Sequence, residues 1–193
     1  ESVVQRIAVI GGGTMGRSIA LAFAMAHRTV QLVDVSVESL QQAESQLATA
    51  MASIGAHEPS GPVLARLSYT TSIEEAVADA ELVMETVPED LDLKREIWSI
   101  LGKAAPAEAV LATNTSSFDV GIFAALVPNP ARVLGLHWFN PAHLVPCVVT
   151  VRTPQTAETL TADSEPLLTG LGKKPPVVRS SRGFVANRLT LAS

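Results

Sequence analysis

The sequence predicts an α/β protein built on a doubly wound, mostly parallel sheet. Two observations carry this prediction: short apolar, β-branched runs alternate with helical patterns, and a glycine cluster links the first run to the first helix. The run covers residues 6–10, the cluster residues 11–16, and an alanine-rich helical pattern residues 17–26. A strand, a tight turn and a helix in this order form the opening unit of such a sheet.

The glycine cluster has the spacing of a dinucleotide-binding turn. Gly11, Gly13 and Gly16 fit G-x-G-x-x-G, which bends the chain, lets backbone approach a diphosphate and lets the helix pack on the strand. Asp34 follows a second strand, residues 29–33, and lies eighteen residues after Gly16, near the roughly 20 expected for an acid that binds ribose hydroxyls. The alternative is a glycine-rich turn that only packs tightly. Strand, helix, second strand and acid together favour a Rossmann dinucleotide site.

Charge and composition limit the class of partner. The 193-residue chain has a formal charge of −5 and no Lys- or Arg-rich run, which argues against nucleic acid and favours a small-molecule partner. No apolar run approaches the roughly 20 residues of a membrane span. Cys147 stands alone, no His or Cys pair has metal-ligand spacing, and no signal peptide is visible, so we expect a cytoplasmic protein without a metal.

The elements that follow are read from periodicity and caps. Ser36 opens a helix that runs to about Ile54, residues 55–62 interrupt regular structure, and Ser72 begins a short helix through a capping box with Glu75. Further strands are predicted at residues 67–70, 82–87, 110–113, 133–136, 145–151 and 177–178. Pro166 should kink or divide a helical pattern over residues 157–171.

Polar side chains follow three of these strands. Ligands of doubly wound sheets bind at the carboxyl ends of strands, so Glu85 near the end of the strand at residues 82–87, and Glu89 and Lys94 after it, should lie near the cofactor. Residues 114–117 and His137 follow the next two strands. Structural roles are open for each: Glu89 can favour a helix N-terminus, Lys94 can be a surface charge, and Ser117 can cap the next helix.

Four segments, residues 10–16, 85–94, 113–117 and 135–141, together resemble the L-3-hydroxyacyl-CoA dehydrogenase family, including its 3-hydroxybutyryl-CoA members. Residues 183–189 extend the likeness. The resemblance implies an NAD-binding Rossmann domain over residues 1–182 and, over residues 183–193, the start of a C-terminal helical domain that is otherwise absent. It also implies an acyl-CoA thioester substrate, a place in fatty acid metabolism, and either a homo-oligomer or a separate helical partner.

The resemblance also implies roles for individual residues. His137 is similar to the general base that takes the hydroxyl proton during hydride transfer, and Ser116 and Asn187 resemble the groups that hold the 3-oxygen and surround that base. Residues similar to the cofactor contacts are Gly11, Gly13, Thr14, Met15, Gly16, Asp34, Glu89, Lys94 and Asn114. No Lys or Arg stands between Asp34 and Arg66 to pair with a 2′-phosphate, so we expect NAD rather than NADP.

Three departures from the family pattern leave a second function open. Val149 stands twelve residues after His137, where the family has a glutamate that orients the ring, and losing such a carboxylate is costly unless another acid substitutes. The arm after Asp34 lacks the family's basic residues, and the chain ends where the helical domain should begin. A non-catalytic NAD-binding or interaction module on the same scaffold is therefore the alternative to a dehydrogenase. A Rossmann enzyme with a catalytic lysine or cysteine is a weaker third.

Overall fold

The computed structural model describes residues 4–54 and 59–174 and, for residues 177–179, the backbone. The strands are β1 (Arg6–Ile10), β2 (Thr29–Val33), β3 (Leu67–Thr70), β4 (Leu82–Glu85), β5 (Val110–Thr113), β6 (Val133–Trp138), β7 (Val148–Arg152) and β8 (Val177–Arg179). The α-helices are α1 (Thr14–Met25), α2 (Val37–Ile54), α3 (Ser60–Leu64), α4 (Ile73–Val77), α5 (Leu91–Ala104), α6 (Val120–Ala124) and α7 (Glu158–Gly170).

These strands form one sheet in the order β3-β2-β1-β4-β5-β6-β7-β8. Every pairing is parallel except β6 with β7, which is antiparallel. The strand order reverses between β1 and β4, and in this class of sheet the ligand lies outside the carboxyl ends of the strands at that point. The prediction of a Rossmann-like, doubly wound fold is confirmed.

Each face of the sheet has its own apolar core. The α1-side core contains α1, α2 and α7 with inward residues such as Val9, Leu32 and Trp138. The α5-side core contains α4, α5 and α6 with residues such as Ala8 and Val149. Burial of each large apolar side chain contributes about 1.5–3 kcal/mol, so both layers stabilise the sheet that presents the site.

Two predicted helix starts are confirmed, and the structural alternative that Ser117 caps the next helix is not. The hydroxyl of Ser36 accepts from the N–H of Ser39 at 3.1 Å, and that of Ser72 accepts from Glu75 at 3.1 Å. The helix after residues 114–117 is capped instead by Asp119, whose carboxylate accepts from the N–H of Gly121 at 2.8 Å. Ser117 lies two residues too early for that role.

Proline positions explain why α3 forms and why α7 is not divided. The sequence predicts irregular structure over residues 55–62, yet α3 begins at Ser60. The helix tolerates Pro62 because this residue falls in the first turn, where no backbone N–H is needed. Pro166 does not divide α7, which is continuous over Glu158–Gly170. Both Pro166 and Ala162, the residue whose carbonyl loses its partner, are exposed, so water can satisfy that carbonyl.

The structure describes the last predicted strands but not residues 183–193. β6 continues to Trp138, two residues beyond the predicted end, because β7 pairs with it as far as Trp138 and Val148. His137 therefore belongs to a strand rather than to the loop after it. Residues 183–193, including Asn187, lie outside the described residues. In the part of the chain that the structure describes, no helix has both the length and the apolar character to cross a membrane.

Candidate functional site

The glycine turn between β1 and α1 has little room for side chains. Gly11 has φ +111°, a conformation that L side chains rarely adopt, and its N–H donates to the carbonyl of Val33 at 2.9 Å. A Cβ at Gly16 would overlap the carbonyl oxygen of Gly11. Gly13, by contrast, has no heavy atom within 4 Å of its ideal Cβ position. The turn is packed tightly on the protein side and open beside Gly13.

The open side of the turn coincides with the start of α1. Gly13 is the N-cap residue, no side chain caps the helix, and its first turn, which includes Thr14 and Met15, contains no acid. Unpaired N–H groups and the positive end of the helix dipole therefore face the space beside Gly13. These features suit a diphosphate.

Arg17 is a cation at this turn that sequence reasoning missed. Its Nη1 donates to the carbonyl of Gly12 at 3.0 Å, so the guanidinium lies back over the turn from the helix. Side chains of a helix lean towards its N-terminus, which is the signal that could have identified Arg17. It adds positive charge beside the helix start.

Asp34 lies against the same turn from the end of β2. Its Oδ1 accepts from the N–H of Val35 at 2.7 Å, and its Oδ2 would be 2.6 Å from a Cβ placed on Gly12. The carboxylate is thus fixed beside the turn, where it can accept from ribose hydroxyls. The open glycine, the uncapped helix and this acid together fit a dinucleotide cofactor.

Glu85 forms a buried charge cluster with Lys94 at the end of β4. The Lys94 ammonium is 2.7 Å from Glu85, and their side chains are 1% and 0% exposed. Glu85 also accepts from the N–H of Val87 and from the side chains of Trp98 and Thr113 at 2.8–3.1 Å. Burial of an ion pair is costly, and these extra hydrogen bonds offset that cost.

The third partner of Lys94 is Glu89. The ammonium donates to the carbonyl of Val87 at 3.1 Å and lies 3.1 Å from Oε1 of Glu89. With Glu85, these contacts account for all three N–H groups of Lys94. Its side chain is therefore buried beneath the site, and a direct contact with the cofactor would require these bonds to break.

Glu89 itself reaches the site surface, with its side chain 38% exposed. Its Oε2 accepts from the hydroxyl of Thr115 at 2.8 Å. Burial alone would raise the pKa of Glu89, but the charge of Lys94 and hydrogen bonds from Thr115, Lys94 and Ser117 hold that pKa below its usual value. Glu89 is thus a carboxylate that is ionised and fixed at the cofactor end of the sheet.

The loop after β5 joins Glu89 to β6. Asn114 accepts through Oδ1 from the N–H of Trp138 at 2.8 Å, while Thr115 binds Glu89. Ser116 is half-buried in the same loop, next to Thr115. Asn114 therefore has a structural bond to the strand of His137, in addition to the cofactor contact predicted from the sequence.

His137 lies on β6 opposite Val149 of β7. It is half-buried, and the centre of its ring is 4.8 Å from that of Phe139. Burial is the largest influence on its pKa and lowers it, whereas the negative charge of Glu89 raises it in part. The net result is an imidazole that is neutral near pH 7 and lies within the electrostatic influence of a carboxylate.

The structure thus places the predicted site residues in two groups at the carboxyl ends of the strands. The turn group comprises Gly11, Gly13, Thr14, Met15, Gly16 and Asp34. The histidine group comprises Glu89, Asn114, Ser116 and His137, with Lys94 beneath it. Asn187 lies outside the described residues.

The sequence and the fold match proteins of known activity. Residues 6–181 match the family described as 3-hydroxyacyl-CoA dehydrogenase, NAD binding domain. The chain is 37% identical over 191 residues to the 3-hydroxyadipyl-CoA dehydrogenase of Escherichia coli K12, covering 96% of this chain and 40% of that protein. It is 31% identical over 194 residues to the 5-formyl-3-hydroxy-2-methylpyridine 4-carboxylate 5-dehydrogenase of Mesorhizobium japonicum, covering 98% and 62%.

A solved structure gives the same result. The crystal structure of 3-hydroxybutyryl-CoA dehydrogenase from Escherichia coli K12 superposes with a TM-score of 0.90 at 36% identity, over 97% of this chain and 40% of that one. The fold agrees almost throughout the chain. The chain spans less than two thirds of the length of each of these three proteins.

Proposed function

Because the chain belongs to the 3-hydroxyacyl-CoA dehydrogenase family through its NAD-binding domain, we propose that it serves an NAD-dependent interconversion of a 3-hydroxyacyl-CoA and a 3-oxoacyl-CoA. One observation carries the proposal. The loop that contains Asn114 connects Glu89 to the strand of His137 by hydrogen bonds, and the charge of Glu89 acts on His137, at the carboxyl ends of the strands where the glycine turn also lies. Such an oxidation requires a base and a cofactor-binding turn on the same side of the molecule, here at the carboxyl ends of the strands.

The two groups of residues divide the work. The turn group holds the cofactor, with its diphosphate beside Gly13 and its ribose at Asp34, and Glu89 and Asn114 lie towards the other end. When bound, NAD accepts or donates the hydride. Ser116 and, from outside the described residues, Asn187 hold the 3-oxygen of the substrate.

His137 moves the proton of the 3-hydroxyl group. Because burial lowers its pKa, the imidazole is neutral near pH 7 and can take that proton as the alcohol is oxidised. In the reverse direction the imidazolium returns the proton to the 3-oxygen. The charge of Glu89 favours the imidazolium, so both states are accessible.

Turnover tests this assignment directly. With acetoacetyl-CoA and NADH, the absorbance of NADH should fall, and His137→Gln should reduce the rate by about 10²–10⁴-fold, the usual contribution of a general acid or base. His27→Asn is the control, because His27 is exposed at the end of α1 with φ 63°, which Asn tolerates. Equal rates for His137→Gln and the unchanged protein would refute the base. NAD binding without turnover of any acyl-CoA would favour the non-catalytic module.

Cofactor preference tests the turn group. Asp34 should repel a 2′-phosphate, so NAD should bind more tightly than NADP by calorimetry. Asp34→Arg should reverse that order, whereas Asp79→Arg, at the opposite end of the sheet, should leave it unchanged. Equal affinities of the unchanged protein for the two cofactors would contradict the role of Asp34.

A substrate without CoA is the second candidate. It is favoured by the absence of Lys and Arg over residues 29–65, which include α2, and by the likeness to an enzyme named for a pyridine carboxylate. The phosphates of CoA would find no cation along this segment. Comparing acetoacetyl-CoA with free acetoacetate separates the two candidates, since a CoA enzyme should prefer the thioester.

A further inference from the structure

The position opposite His137 on β7 carries no charge. Val149 pairs with His137 in the β6–β7 ladder, is 2% exposed and belongs to the α5-side core. Directly opposed residues of an antiparallel pair have Cβ atoms about 4.5–5.5 Å apart, so an acid here would contact the imidazole. Any carboxylate that supports His137 from the described residues must come from another element.

The segment of Glu89 approaches His137 from the other side. β4, β5 and β6 are neighbours in the sheet, and strands lie about 4.8 Å apart. Val87, near Glu89, and Phe139, whose ring contacts His137, both pack against the α5-side core. The two segments therefore lie on one face of the sheet, with only the end of β5 between them.

The loop after β5 bridges that interval. Thr115 donates to Glu89 at 2.8 Å, and the preceding Asn114 accepts from the N–H of Trp138, which follows His137. This chain of contacts fixes Glu89 relative to β6. The residues of the bridge, Asn114, Thr115 and Ser117, are uncharged.

The carboxylate of Glu89 is held in place from below. Lys94 lies 3.1 Å from Oε1, and Lys94 is itself fixed by the buried carboxylate of Glu85 at 2.7 Å. Fixed dipoles and charges stabilise a developing charge without having to reorganise. Of the charged groups near His137, Lys94 and Glu85 offset each other in the buried pair, whereas Glu89 faces the site.

We propose that Glu89 is the carboxylate that stabilises the imidazolium of His137, in place of an acid at position 149. The proposal rests on His137 being the base of the proposed function. Glu89 acts as a positioning and electrostatic residue, so the proton stays on the imidazole and the carboxylate remains ionised. The support of the histidine thus comes from the β4 side of the site rather than from β7.

Proton NMR titration of the histidines in the full chain, without cofactor, tests the proposal. The chain has four histidines, and the resonance lost in His137→Gln identifies His137. Glu89→Gln should lower the pKa of His137, since a carboxylate that favours the charged form has been removed. Asp92→Asn is the matched control: it removes one negative charge close by in sequence, from a side chain that is 96% exposed, and should leave His137 unchanged.

Kinetics provide the second readout. Glu89→Gln should reduce the kcat for ketone reduction at least about tenfold, because less imidazolium is available to donate the proton, and the pH profile should shift to lower pH. Glu89→Asp keeps the charge and should retain most of the imidazolium support. If Glu89→Gln fails to fold, Thr115→Val takes its place: it removes the hydroxyl that fixes Glu89, and it should lower the pKa of His137 more than Glu89→Asp does.

An unchanged pKa of His137 in folded Glu89→Gln overturns the proposal. If Glu89→Gln does not fold, an unchanged pKa of His137 in Thr115→Val overturns it instead. That result leaves the proposed function intact if His137→Gln still loses turnover. Conversely, if His137→Gln and Glu89→Gln both retain full turnover, the proposed function is refuted. A shifted pKa would then still establish the contact between the two side chains.

Discussion

The glycine turn is held by residues that are close in sequence or on adjacent strands. The histidine group instead brings together the loop after β4, the loop after β5 and the end of β6, and side chains connect them. In the turn, Gly11 and Gly16 contact each other directly, and one backbone bond ties Gly11 to β2. Around His137, the loop after β5 makes two side-chain bonds to segments more than twenty residues away, from Thr115 to Glu89 and from Asn114 to the N–H of Trp138. The turn therefore depends on shape and the histidine group on charge, and substitutions should affect them differently.

The largest effect is expected from Lys94→Met beneath the histidine group. It leaves Glu85 buried without its counter-ion and should lower the free energy of unfolding by about 3–5 kcal/mol, measured by urea denaturation. Arg95→Met on the exposed side of α5 should cost no more than about 1 kcal/mol. Glu85→Gln combined with Lys94→Met should recover part of the loss. If Lys94→Met and Arg95→Met lower the free energy of unfolding equally, the histidine group does not depend on charge.

Two glycine substitutions test whether the turn depends on shape. Gly16→Ala should destabilise the fold by about 1–3 kcal/mol or more, because its Cβ overlaps backbone that must move. Gly13→Ala meets nothing within 4 Å, so its stability should stay within about 0.5 kcal/mol while its affinity for NAD falls. Urea denaturation and calorimetry of both variants separate the effects. Equal stabilities for the two variants would contradict the packing described above.

Val149→Glu asks whether the histidine group can accept a second acid. The new carboxylate would lie opposite His137 and should raise kcat. The gain should be about tenfold or less if Glu89 supports the ring as proposed. Its burial should lower stability by about 1–3 kcal/mol. Val149→Gln, equal in size but uncharged, is the control. If the Gln variant gains the same rate, charge is not the cause.

The smallest expected effect is a pH dependence of stability. Burial holds the pKa of both His137 and His143 below the usual 6.5, so the unfolded chain takes up protons first as the pH falls. The stability present above pH 6.5 should therefore decrease as the pH falls through the folded pKa values. Urea denaturation at about pH 7.5 and 5.5 measures this, and the double variant His137→Gln/His143→Gln should lose less. If the double variant loses as much stability as the unchanged protein between these pH values, the loss comes from groups other than these two histidines.

The sequence by itself determined the parts whose partners are local. The strand, glycine turn and helix of residues 6–26, the acid at Asp34 and the caps at Ser36 and Ser72 follow from periodicity and from spacing within a few residues. These features involve neighbours in the chain, so one segment contains all the information. The proline errors arose because the effect of a proline depends on more than residue type: Pro62 lies in a first helical turn, and Pro166 lies where water can reach the carbonyl that it leaves without a partner.

Only the tertiary structure decided which distant side chains meet. It buried Lys94 against Glu85, brought Glu89 to the loop that holds β6, and extended β6 so that His137 opposes Val149. Periodicity tells which face of a strand or helix is buried, but not which residue of another strand will lie opposite, because register and side-chain direction are fixed only when the sheet packs. For that reason the base that we propose, His137, could be named from sequence resemblance, whereas Glu89, the acid that we propose beside it, could not.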